Sequence, residues 1–141
     1  MPALSSYDYA IIRVVPCVER GECINAGVIL FCRTRRFLAA LIALDQPRLR
    51  ALAPQVDLDT ISSHLNIIVR IGAGDKEAGH IAELSQSERF HWLVSPRSTI
   101  IQTSAVHTGL CSDPEATLRH LLNTMVLLPA PPSRDPSKQK S

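Results

Sequence analysis

The sequence predicts an α+β fold, an antiparallel β-meander with helices packed on one face, and three observations carry that expectation. Between Tyr7 and Leu44, three apolar or β-branched runs are separated only by short polar turns, the spacing of adjacent antiparallel strands. Downstream, Leu58, Ile61, Leu65 and Ile68, and then Leu118, Leu121, Leu122 and Met125, recur at helical spacing behind capping residues. The 141 residues are 45% hydrophobic and 20% charged, which suits one globular domain over 1–128. A chain of that size buries roughly two-thirds of its unfolded surface.

The first run, Tyr7 to Val15, is rich in aromatic and β-branched residues and stops at Pro16. Alternation puts Ala10, Ile12 and Val14 on the more uniformly buried face and leaves Arg13 among apolar neighbours on the other. Arg13 is therefore an edge residue or a paired charge, because an unpaired buried guanidinium is costly. Glu19, Glu22 and Glu88 are its available partners. A pair with Glu88 would lay residues 85–97 across the meander, with Arg89, His91 and Arg97 rimming one pocket against Asn25.

Glu19-Arg20-Gly21-Glu22 reads as a charged turn. Asn25 to Phe31 is apolar enough for a central strand covered on both faces, and Gly27 within it marks a bulge or a close backbone approach. Arg33, Arg35 and Arg36 turn the chain into a third strand, Phe37–Leu44, and read first as a solvated hairpin tip. A short helix then opens at Asp45 and Pro47, with Leu49 and Leu52 inward, and ends by Pro54. Asp57 or Asp59 caps the longer helix, and Gly72 or Gly74 can end it. His64 beside its apolar stripe reads as a boundary residue, and 72–79 as a flexible link without the order of a nucleotide loop.

The richest stretch is 85–109. Ser85 and Glu88 fit a capping box, with the glutamate answering the serine amide. Phe90 and Leu93 anchor the helix, Pro96 ends it, and Ser98 to Ser104 forms a fourth strand. Arg89, His91, Trp92, Arg97, Ser98 and Thr99 flank that junction, so a site there is the functional reading and caps with packing the plainer one. Arg97 has the geometry to grip a carboxylate or phosphate, with Ser98 and Thr99 adding hydroxyls. His91 or His107 has the chemistry of a general acid or base, and Ser98, His107 and Glu88 the residue types of a relay, without any oxyanion signature. Asp113, Pro114 and Glu115 open the last helix, and the Pro- and Ser-rich tail at 129–141 is expected to be disordered.

Cys17, Cys23, Cys32 and Cys111 form no C-x-x-C, and no histidines sit at helical spacing, so neither metal nor cofactor is expected. Cys111 with His107 is the residual metal alternative. With no signal-peptide pattern and no span of ~20 apolar residues, a reducing cytoplasm is the expectation. A net charge of +2 and 4% aromatic residues make nucleic acid an unfavoured partner.

Several separated blocks resemble one bacterial family, the domain of unknown function three-zero-three-seven. They are Tyr7-Asp-Tyr-Ala-Ile-Ile-Arg13, Glu19-Arg-Gly-Glu22, Asn25-Ala-Gly-Val-Ile-Leu30 and Ser85-Gln-Ser-Glu-Arg-Phe-His-Trp-Leu93 with Pro96-Arg-Ser98. The resemblance spans about residues 7–128. It implies no activity, but members encoded beside HipA-like kinases imply a protein partner of that kind. It marks Arg13, Glu19, Arg20, Asn25, Gly27, Glu88, Arg89, Trp92, Arg97 and Ser98 as candidate site positions with no roles attached. Cys17 and Cys23 stand where the family pattern has a basic and a bulky apolar residue, which weakens the 17–23 loop as a site. The leading expectation is a non-catalytic binding or regulatory module acting on a protein partner. A small hydrolase or phosphate-handling enzyme using 88–107 is the alternative, and nucleic-acid binding through the arginines is the third reading.

Overall fold

β1 (Ser5–Val14), β2 (Ile24–Cys32) and β3 (Phe37–Ile42) form the antiparallel meander in the order β3-β2-β1. The computed structural model describes residues 3–97 and 99–128. Ser98 and the tail at 129–141 lie outside the described residues. The β1–β2 register shifts at one point: Ile12 faces Gly27 while Arg13 faces Asn25, leaving Ala26 as the extra residue of a bulge. Gly27 beside it meets the close approach its position suggested. A Cβ there would lie 2.5 Å from the Leu41 carbonyl oxygen on β3.

The opposite edge of β1 is shared by two short strands. β4 (Ile101–Thr103) pairs with Ile12–Val14, and β5 (His107–Cys111) with Ser5–Tyr9. Ser104 fills the gap between them: its amide donates to the Ile11 carbonyl at 2.8 Å and its hydroxyl accepts from the Ile11 amide at 2.8 Å. The backbone of β1 thus stays paired where the partner strand changes. β4 lies within the expected 98–104 strand. β5 has no counterpart in the sequence reading, because His-Thr-Gly-Leu-Cys carries little strand propensity and forms through pairing alone.

The described residues hold four α-helices, α1 (Gln46–Leu52), α2 (Leu58–Ala73), α3 (Gln86–Leu93) and α4 (Pro114–Met125). Asp45, Asp57, Ser85 and Asp113 cap their N-termini, and Gly74, at φ 75°, ends α2 in the left-handed conformation. Gly72 is not the stop; it lies inside α2 against the backbone of Ala39 and Ala40. The stretch read as a flexible link instead holds two 3-10 turns, Lys76–Ala78 and His80–Glu83, the first capped by Asp75.

The α+β class and the antiparallel meander are observed, and helix placement differs in one respect. α1, α2 and α3 cover one face, where Leu49, Leu65 and Phe90 pack in one core with Ile12, Val14, Ile29 and Phe31. α4 covers the other, where Leu118 and Leu121 pack on Ile11, Val28, Leu30 and Cys32. The reason lies in β2, which is buried along both faces and needs a cover on each.

Candidate functional site

α3 starts at Ser85, whose hydroxyl oxygen accepts from the Glu88 amide at 3.2 Å. The glutamate returns the contact by accepting from the serine hydroxyl at 3.0 Å, rather than from its amide. Phe90 and Leu93 enter the core and Phe90 stacks on Phe31, so Trp92 is left at the surface. Past the end of α3, Arg97 returns over this ring. Its Cζ lies 4.1 Å from the Trp92 ring centre, and its Nη2 donates to the Trp92 carbonyl at 2.6 Å.

This stacked pair forms one wall of a cleft of about 570 Å³. His64, Ile67 and Ile68 of α2 form another wall, Thr99, Ile100 and Ile101 close one end, and Val18 of the β1–β2 loop reaches in. Val18, Ile67, Trp92 and Ile100 are each 36–45% exposed, so large apolar surfaces from four segments meet around one concavity. The volume falls in the range of roughly 300–1,000 Å³ typical of ligand pockets. Thr99 turns its hydroxyl to the Ile101 carbonyl at 2.7 Å and is engaged locally.

The model of a family described as "Protein of unknown function (DUF3037)" matches residues 9–126. The chain belongs to this family. No curated protein and no solved structure matches it.

Of the site residues singled out in this DUF3037 chain, Trp92, Arg97 and Thr99 line the cleft, and Arg13, Glu19, Arg20, Asn25, Glu88, Arg89, His91 and His107 do not. Arg13 and Asn25 face each other on the α4 side of the sheet, where the Asn25 amide donates to the Met125 carbonyl at the end of α4 at 2.9 Å. No carboxylate lies within 4.0 Å of Arg13 among the described residues. Arg13 and Glu88 therefore do not meet, and the single pocket rimmed by Arg89, His91 and Arg97 against Asn25 does not form. The cause is alternation: Arg13 shares the face of Tyr9 and Ile11, while α3 packs on that of Ile12 and Val14.

Arg89 is buried, 8% exposed, under the end of α2. Its Nη1 reaches the Ala82 carbonyl at 3.4 Å, and its Nε has no hydrogen-bond partner among the described residues. It ties α3 to the turn after α2, where the negative end of the helix dipole favours a cation. His91 is exposed, with Nδ1 2.8 Å from the Ser87 carbonyl oxygen. His107 lies on β5, stacked at 5.4 Å on Tyr9, on the sheet face opposite α3. The structure brings neither histidine to Glu88 for a relay, and Ser98 is not described. Glu19 and Arg20 sit on an exposed loop, where Arg20 pairs with Glu22.

His107 and Cys111 are four residues apart on one strand, roughly 13 Å at the usual rise, too far to share an ion. Among the described residues no group of three or more His, Cys, Asp or Glu side chains gathers as a metal site. Burial pushes the Cys111 thiol above its ordinary value, and the nearby Cys32 thiol adds to this. No described helix is long and apolar enough to cross a membrane. The cleft residues missed from sequence were Val18, His64, Ile67 and Ile100. Only Ile67 left a trace: it stands beside the buried stripe of α2, apolar where an outward residue should be polar.

Proposed function

We propose that this chain is a non-catalytic binding or regulatory module that docks a protein partner in the cleft between α2 and α3. One observation carries the reading: four apolar side chains from separate segments stay exposed around a single concavity. Apolar surface gathered in that way marks an interaction site, because it gains by leaving water on binding. Trp92 with Arg97 supplies the residue types that dominate interface energetics. The family resemblance supports a HipA-like kinase as the first partner to test, in a cytoplasmic setting.

The hydrolase or phosphate-handling reading has less support, since Glu88, His91 and His107 serve separate local roles. Nucleic-acid binding is weaker still: Arg35 turns back onto Ser5 and the Ala3 carbonyl rather than presenting an open basic face. The test is affinity capture from the native host with the full chain and with Ile67→Asp. A stoichiometric protein held by the wild type and lost from the folded variant is the expected result. A partner held equally by both, or a phosphorylated metabolite in its place, overturns the reading.

A further inference from the structure

We infer that the occupant of the cleft is a linear peptide segment in which a large apolar side chain stands beside an Asp or Glu. This rests on the binding reading above and names the partner class of the same site. Charge is what selects it. Arg97 is the permanent cation among the described lining residues, no Asp or Glu lines the cleft, and no carboxylate lies within 4.0 Å of its guanidinium among the described residues. One face of the guanidinium rests on Trp92 and Nη2 is held by the Trp92 carbonyl, so the group is fixed before any ligand arrives. Nε and Nη1 make no hydrogen bond among the described residues. Nη2 keeps a second N–H, and beside Nε or Nη1 it leaves a pre-set two-pronged donor that suits a carboxylate and loses little freedom in binding one.

A phosphate group fits less well. It would call for a second permanent cation or free hydroxyl donors, and the Thr99 hydroxyl is already given to the Ile101 carbonyl. Among the other lining residues, Ile67, Ile100 and Trp92 offer an apolar bed in the same cleft as that cation. Val18 and Ile100 stay accessible along the rim, so the contact surface runs on past one anchor, as an extended segment requires.

The full chain is panned against a phage-displayed library of random dodecapeptides, in parallel with Ile67→Asp, Arg97→Gln and Arg97→Lys, each checked for fold by circular dichroism. The wild type is expected to select peptides with Asp or Glu within two residues of Leu, Ile, Phe or Trp. Changing that acid to its amide should weaken binding by at least about tenfold, read from Trp92 fluorescence. Arg97→Lys should keep the acidic preference, Arg97→Gln should retain apolar peptides without it, and Ile67→Asp should retain neither. Apolar peptides selected by the wild type with no acidic enrichment overturn this inference and leave the binding reading standing. Peptides held equally by wild type and Ile67→Asp bind elsewhere and overturn both. A Trp92 response to octanoate alone, with no peptide selected, assigns the cleft to a small acid and overturns the peptide.

Discussion

Gly27→Ala and Gly72→Ala make the same chemical change and should move stability in opposite directions. At Gly27 the added Cβ would lie 2.5 Å from the Leu41 carbonyl oxygen, 2.7 Å from Ile42 Cδ1 and 3.2 Å from Ile12 Cδ1. The two isoleucine methyls can swing away, but the carbonyl belongs to β3 and cannot. Carbon–oxygen contacts of this kind settle at about 3.3 Å, so β2 and β3 must part by roughly 0.8 Å at that point. Overpacking of a closed site costs about 1–3 kcal/mol, and weakened ladder bonds add about 1 kcal/mol more. Alanine's lower chain entropy in a strand returns about 0.5–1 kcal/mol. The net expectation is a loss of about 1–3.5 kcal/mol, or a fall in Tm on the order of 10 °C for a domain of this size. At Gly72 the Cβ would meet the Ala40 amide nitrogen at 3.4 Å, an ordinary contact, inside a helix. Alanine there should gain up to about 1 kcal/mol from helix propensity. Urea denaturation of both variants reads the contrast. Equal midpoints, or a Gly27→Ala loss below about 1 kcal/mol, would refute the account of β2–β3 packing.

Arg89→Met keeps the aliphatic stem and removes a cation whose Nε lacks a partner among the described residues, so its stability should stay within about 1.5 kcal/mol of wild type or rise. Arg89→Ala also loses the packing of the stem and should cost about 2–3 kcal/mol; equal urea midpoints for the two would show that the guanidinium itself holds α3. Arg13→Ala should cost about 1 kcal/mol rather than the 3–5 kcal/mol of a broken buried pair, again read from urea midpoints. The Asp57 carboxyl is held below its ordinary value of 3.8 mainly by the Thr60 hydroxyl, and Asp75 mainly by Arg70. Both contributions are present above the unfolded value and are lost as pH falls through the lowered folded one. A double Asp57→Asn, Asp75→Asn variant should therefore lose less urea resistance than wild type between about pH 6 and pH 3.

The meander, the caps and the helix stops were legible in the sequence because each is encoded by residues close to one another. Alternation marks the strands, Asp45, Asp57, Ser85 and Asp113 mark the helix starts, and Pro96 marks the end of α3. Trp92 and Arg97 were legible as candidates for the same reason: both lie in one short polar-aromatic stretch. What alternation cannot say is which face of the sheet a helix will cover. Only the fold put α3 over Ile12 and α4 over Ile11, and with that it parted Arg13 from Glu88 and His107 from α3. It also turned Arg89, a site candidate by composition, into a buried tie beneath α2. β5 exists because β1 has a free edge, not because His107 to Cys111 favours a strand. The cleft itself is wholly tertiary. Val18, Ile67, Trp92 and Ile100 come from four segments with no shared period, and a concavity made by packing leaves no pattern along the chain.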